Sequence, residues 1–200
     1  MKNIKKGKKL SRLLRHRANN DNLPMNPAGW SSISDVLALT NLTLEELKQI
    51  VNTDKKARYE IQDNMIRAAQ GHSRNNVPVT ITALEASWRL YECTKPVYHG
   101  TKLQHLKSIR KRGILPVNRT HVHLSKSLNS ITGKRTNVDV MLKICPQKIR
   151  QGGNNIYETS NQVILARNIP THAILGCIPI TQTAQMQTAA ITSYFTILAH

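Results

Sequence analysis

Acidic residues are scarce in this 200-residue chain: 11 Asp and Glu stand against 29 Lys and Arg, a formal charge of +18 with a pI near 10.3. So one-sided a charge favours a polyanionic partner, RNA, DNA or an acidic membrane face, over a neutral small molecule alone. Aromatic rings are few as well. One Phe, two Trp and five Tyr provide poorly for a platform on which single-stranded bases stack, so contacts to phosphate should dominate. The three cysteines, Cys93, Cys145 and Cys177, form no Cys-x-x-Cys pair, which excludes the common zinc and redox motifs and fits a reducing compartment. No apolar run approaches membrane-spanning length, and Arg12 and Arg15 interrupt the leucines after Lys9, which denies a signal-peptide core. A cytoplasmic protein without a membrane partner is expected, although an acid-free start also has the composition of an organelle transit peptide. Two further absences narrow the chemistry. No pair of nearby acids suggests a metal-assisted hydrolase, and no Gly-rich loop ending in Lys-Ser or Lys-Thr suggests a P-loop.

What is present divides the chain at about residue 90. Lys2 to Lys9 reads as a basic arm, followed by a helix in which Leu10, Leu13 and Leu14 form a buried stripe with Arg12, Arg15 and His16 opposite. After an Asn- and Pro-rich loop closed by Trp30, the pattern predicts a helix over Ile33 to Leu39. A third helix begins at the capping box Thr43-Leu44-Glu45-Glu46. Ala57 to Ile61 and Met65 to Ala68, joined across Asp63-Asn64, read as a hairpin that puts Met65 and Arg67 on one face. Three short helices and a hairpin make a winged-helix-like lobe over 1–90, with a linker near Asn75 to Tyr91.

The second half reads mostly as strands. Val97-Tyr98 ends in His99-Gly100-Thr101, where the glycine would let a ligand approach the backbone. A helix over Leu103 to Arg112 stops at Gly113. Asn118 to Ser125 reads as a strand with Arg119, His121 and His123 on one face and Val122 and Leu124 on the other. Val138 to Ile144, Ile156-Tyr157, Val163 to Ala166 and Ala173 to Ile180 suggest four more strands. The segment 181–200, without Lys, Arg, Asp or Glu, has no functional reading. The class is therefore α+β.

Arg15, His16, Arg67 and Arg119 would converge on one anion if the two lobes face each other across a cleft. Guanidiniums bind phosphate in bidentate fashion and stay charged, and an imidazole among them can move a proton near neutrality. The bland alternative for Arg15 and His16 is the solvated side of an amphipathic helix. His99, His121 and His123 as zinc ligands would want carboxylates to orient their rings, and this lobe hardly has any.

Leu10-Ser11-Arg12-Leu13-Leu14-Arg15-His16, Gly29-Trp30, Ile66-Arg67-Ala68-Ala69-Gln70-Gly71-His72-Ser73, Tyr98-His99-Gly100-Thr101, Arg119-Thr120-His121-Val122-His123-Leu124-Ser125 and Ser160-Asn161-Gln162-Val163 stand in the order found in the NAD-dependent RNA 2'-phosphotransferase, KptA-like family. The chain resembles that family from about Leu10 to Ile180. The resemblance implies a winged-helix lobe (1–90) that takes the RNA phosphate, a mostly-β ADP-ribosyltransferase-like lobe (91–180) that takes NAD as co-substrate, and no metal. It implies Arg15, His16, Arg67 and Arg119 as the catalytic set, and His99, Gly100, Thr101, His123, Ser125, Asn161 and Val163 as the residues around NAD. The implied reaction moves an internal RNA 2'-phosphate, as at a tRNA splice junction, to NAD through an RNA-2'-phospho-ADP-ribose intermediate. It yields RNA 2'-OH, ADP-ribose 1'',2''-cyclic phosphate and nicotinamide, by a monomer. Departures are Ala69 for the usual asparagine, Gln162 for the usual glycine, and the lack of acids before Gly29-Trp30. A basic nucleic-acid binder without NAD chemistry, or an enzyme that ADP-ribosylates nucleic-acid 5'-phosphate ends, are the competing expectations.

Overall fold

The computed structural model describes residues 2–133 and 137–198. Small antiparallel sheets and short helices give an α+β architecture in two compact units. The first comprises Met1–Arg89, Asn118–Thr120 and Thr159–Asn161; the second comprises Leu90–Val117, His121–Glu158 and Gln162–His200.

In the first unit α1 covers Lys2–Arg12 and runs into a π-helical turn, Leu13–Arg17. The basic arm expected before Leu10 is thus helical: with Tyr59 Oη donating to the Gly7 carbonyl at 2.9 Å and Lys6 paired with Glu46, tertiary contacts extend the helix toward the N-terminus. β1 (Ser31–Ser32), α2 (Ile33–Thr40), α3 (Leu44–Thr53), β2 (Tyr59–Gln62), β3 (Met65–Ala68) and α4 (Ile81–Ala86) follow, and β4 (Arg89–Leu90) lies where the chain leaves the unit. Thr43 Oγ1 accepts from the Glu46 N–H and Glu46 Oε2 from the Thr43 N–H, so the capping box is complete; such a cap stabilises a helix by about 1 kcal/mol. The sheet order is β1–β3–β2, with Glu60 opposite Arg67. Leu10, Leu14, Val36, Leu47 and Ile66 are fully buried in one core, each contributing roughly 2 kcal/mol by leaving water. The stretch expected as a linker is partly structured: α4 is capped by Thr80 and buries Leu84, and Trp88 Nε1 donates to the Ala69 carbonyl at 3.1 Å.

In the second unit β5 (Val97–Thr101), a 3-10 turn at Leu103–His105, α5 (Leu106–Arg112), β6 (Val122–Leu124), β7 (Val140–Ile144), α6 (Pro146–Gln151), β8 (Ile156–Glu158), β9 (Ile164–Ala166) and β10 (Ile174–Pro179) build two sheets, β10–β7–β5 and a second in which β8, β9 and β6 are successive neighbours. The alternation along β7 suggests a half-buried strand. As the central strand it is instead covered on both faces, with Val140, Leu142 and Ile144 in the main core and Met141 packed with Val138 and Ile178. The strand expected over Asn118 to Ser125 is only three residues long. Val122 and Leu124 are buried as their positions imply, but His121 is buried too, so the cationic face does not form as a continuous row.

The tail folds. α7 (Gln182–Met186) and α8 (Thr188–Thr192) send Ala184, Ile191 and, just beyond them, Phe195 into the main core. The Cys177 N–H donates to the Thr196 carbonyl at 2.8 Å and the Leu198 N–H to the Cys177 carbonyl at 2.9 Å, so the chain end covers the outer edge of β10, an edge that would otherwise invite strand pairing. A side chain at Gly176 would meet the Thr196 carbonyl at 2.7 Å, which explains glycine there.

Candidate active site

The π-helical turn places Arg15 and His16. Such turns are rare and interrupt the helical hydrogen-bond ladder; here the Arg15 carbonyl is taken instead by Ser73, from its N–H at 2.9 Å and its Oγ at 3.1 Å. Arg15 is buried and His16 half-buried, while Leu13 and Leu14 remain in the core. Arg15 Nη2 donates to Gln70 Oε1 at 3.3 Å, and its Nε is buried with no hydrogen-bond partner. Burial, and next the charge of Arg119, lower the Arg15 pKa from 12.5 to about 10, so the group stays cationic at neutral pH under electrostatic stress. Burial, then Arg119, Arg15 and Arg12, hold His16 below its ordinary 6.5. Its imidazole is therefore neutral at pH 7 and able to accept a proton.

Two guanidiniums repel one another, so something must hold Arg15 and Arg119 together. Backbone does. Ser73 and Arg119 form an antiparallel bridge, the Thr120 N–H donates to the His72 carbonyl at 3.1 Å, and Arg74 Nε donates to the Arg119 carbonyl at 3.0 Å. The segment Gly71-His72-Ser73-Arg74 thus ties the carbonyl of Arg15 on one side and the main chain of Arg119 on the other. Gly29 is part of the same packing: its φ is +86°, and a Cβ there would lie 2.9 Å from His72 Nε2.

Arg67 is held differently. Its Nη2 and Nε donate to Glu60 Oε2 at 2.6 and 2.8 Å, its Nη1 to Ser87 Oγ at 2.8 Å and to the Ala28 carbonyl at 3.3 Å, and its guanidinium lies 4.6 Å over the Trp30 ring. Glu60 Oε1 in turn accepts from Ser160 Oγ at 2.6 Å. Sequence reasoning passed over Glu60, yet the hairpin register contains it: with Asp63-Asn64 at the turn, position 60 must stand opposite 67. Replacing Glu60 by alanine would leave a nearly buried cation unpaired, and we expect a destabilisation of about 3 kcal/mol, read as a lower urea midpoint at unchanged m-value.

In the second unit His99 Nδ1 donates to the His123 carbonyl at 3.0 Å and His123 Nδ1 to the His121 carbonyl at 3.1 Å. A carbonyl can only accept, so both imidazoles carry Nδ1–H, which in a neutral ring makes Nε2 the acceptor. Main-chain bonds of 2.9 Å in both directions between Tyr98 and Ser125 keep these residues side by side. Packing by itself calls for glycine at 100, since a Cβ would meet Val138 Cγ1 at 2.7 Å. Thr101, Ser125 and Val163 are buried. Asn161, in the first unit, accepts from Thr159 Oγ1 at 2.7 Å and donates to the Lys56 carbonyl at 2.8 Å. Gln162 has a left-handed backbone, φ +63°, and an exposed side chain; this is the conformation glycine adopts without strain. Ala69 is buried and engaged through its main chain, its N–H donating to the Arg58 carbonyl at 2.8 Å. Among the described residues no group of three or more His, Cys, Asp or Glu is arranged to hold a metal ion.

A "Probable RNA 2'-phosphotransferase" of Streptomyces coelicolor is 32% identical over 177 residues, covering 84% of this chain and 92% of the relative. Proteins of the same name from Acaryochloris marina (33% over 172 residues; 80% and 90% covered) and Pyrococcus horikoshii (32% over 183 residues; 88% and 99% covered) are similar to the chain over nearly their whole lengths. The sequence model of the RNA 2'-phosphotransferase, Tpt1 / KptA family matches residues 1–168, and the chain belongs to that family.

Proposed function

We propose that this protein removes an internal 2'-phosphate from RNA and transfers it to NAD, with the first unit holding the RNA phosphate and the second the co-substrate. The carrying observation is the Arg15, His16 and Arg119 cluster: two mutually repelling guanidiniums fixed by backbone beside a neutral imidazole, with the Arg15 Nε buried and lacking a hydrogen-bond partner. A dianionic phosphate relieves the repulsion and satisfies that donor. Helices α1, α2 and α3 with the β1–β3–β2 sheet support reading the first unit as a winged-helix lobe, and the two small sheets support reading the second as an ADP-ribosyltransferase-like lobe.

The donor chemistry of the second unit suits NAD. His99 and His123 bring imidazoles, Thr101 and Ser125 bring hydroxyls, and Val163 would present an apolar side chain in place of a carboxylate that repels an incoming phosphate. NAD supplies an electrophilic ribose carbon with nicotinamide as leaving group. The RNA 2'-phosphate is already an anionic nucleophile, so the chain's task in the first step is positioning and charge screening. In the second step Arg15 and Arg119 screen the charge that grows on the phosphoryl oxygens as the RNA 2'-oxygen departs, and His16 handles the proton.

Incubation with a 2'-phosphorylated oligoribonucleotide should release the phosphate from RNA in the presence of NAD and not in its absence. Titration calorimetry should show saturable NAD binding that His99→Ala weakens. An oligonucleotide that keeps its phosphate at high enzyme concentration, together with calorimetric silence, would leave a basic nucleic-acid binder instead.

A further inference from the structure

We propose that the exposed face of α1 is a track for the RNA strand flanking the reacting 2'-phosphate, an inference that rests on the function just given. At about 100° per residue, Lys5, Lys8 and Arg12 fall within about 60° of one another and opposite the buried Leu10, Leu13 and Leu14. All three are exposed. Two other cations of the helix have partners within the unit: Lys6 pairs with Glu46 of α3, and Lys9 Nζ donates to the Thr40 carbonyl at 3.0 Å. These five basic residues therefore divide into a side that fastens the helix to the unit and a side that does not.

Among the described residues no carboxylate forms an ion pair with Lys5, Lys8 or Arg12. Asp21, whose carboxyl responds to Arg12 and Lys9, is bound by Arg17 at 2.6 Å. Cations at i, i+3 and i+7 on one helix face repel one another, and an anionic strand laid along the face removes that cost. The row leads to the reacting centre, because Arg12 lies close enough to His16 to depress its pKa. Lys5 to His16 spans about 16 Å at 1.5 Å per residue, enough for several phosphates of one strand. A membrane surface fits less well: among the described side chains this face carries Lys5, Lys8, Ser11 and Arg12 and none that is apolar. Base stacking is not provided for, so the strand is held by its phosphates and independently of sequence.

The test is the double variant Lys5→Gln/Lys8→Gln, which keeps helix propensity nearly unchanged and leaves Arg12 and the catalytic groups in place. Two substrates are compared: a 2'-phosphorylated dinucleotide, and a 12-nucleotide single strand with the same phosphate in its middle. For the 12-mer, KM should rise roughly tenfold at low salt, and the slope of log KM against log salt should fall by about 1.4, at about 0.7 for each phosphate that is no longer neutralised. For the dinucleotide KM should not move, and kcat should be the same on both. Equal responses of the two substrates, or an unchanged KM for the 12-mer, would overturn the track. Should wild-type protein fail to dephosphorylate even the dinucleotide, the functional reading fails separately. The track is then judged by fluorescence anisotropy with the 12-mer, where the same tenfold loss supports it and equal affinity refutes it.

Discussion

Arg15→Lys is expected to lower the rate of RNA 2'-phosphate removal by about 10²- to 10³-fold, the size of effect seen when one preorganised donor to a developing oxyanion is lost. The substitution keeps a nominal cation and so tests what the buried position demands. Arg15 remains charged because guanidinium begins from 12.5 and is brought down only to about 10. An ammonium begins about two units lower, and the same burial beside Arg119 would carry it toward neutrality. Lysine would still carry most of its charge at pH 7, but without the planar fork that grips two phosphate oxygens. Stability should move little, because the ammonium bears much the same desolvation and repulsion as Arg15; below its lowered pKa that arginine weighs against folding, and the burden lifts only as pH climbs through about 10. Single-turnover rates on a 2'-phosphorylated dinucleotide, paired with thermal melts, separate the two effects. A variant as stable as wild type and within threefold of its rate would show that the Arg15 fork does not engage the phosphate.

Those features of the site that depend on periodicity were legible in the sequence. The leucine stripe put Leu10, Leu13 and Leu14 in the core, although Arg15, expected on the outward side, is buried with them; the Thr43 capping box placed α3, and the hairpin across Asp63-Asn64 put Arg67 opposite Glu60. What stayed hidden depends on contacts distant in the chain. Nothing local to Leu13–Arg17 marks a π turn; it exists because Ser73, 58 residues further on, captures the Arg15 carbonyl. The cationic face expected over Arg119, His121 and His123 broke up for a related reason. Pairing with Ser73 draws Arg119 into the first unit, while His121 is buried and Val122–Leu124 pair with β9. An alternating pattern cannot reveal that consecutive residues belong to different units. The tail carried no charge and no sharp period, so its role as core filler and edge cover was equally invisible.

His16→Ala should slow the second chemical step far more than the first, by about 10²- to 10⁴-fold, the span attributed to general acid–base catalysis. In the first step the attacking phosphate oxygen is already ionised, and removing an imidazole costs positioning alone. In the second, a ribose 2''-hydroxyl must lose its proton as it attacks phosphorus, and the departing RNA 2'-oxygen must gain one. A neutral His16 can take the first proton and return it to the leaving oxygen. Because burial and the neighbouring arginines depress its pKa below 6.5, the base form is present at pH 7, and kcat/KM in the wild type should fall only as pH drops through that lowered value. Protonation there adds a third cation beside the phosphate, so the acid limb should appear as slower turnover with binding unimpaired. In His16→Ala the limb should vanish, and RNA carrying the ADP-ribosyl phosphodiester should accumulate, resolvable from substrate and product on a denaturing gel. Failure to detect that species, with overall activity lost, would move His16 to the first step and place its role in orienting the phosphate rather than carrying the proton.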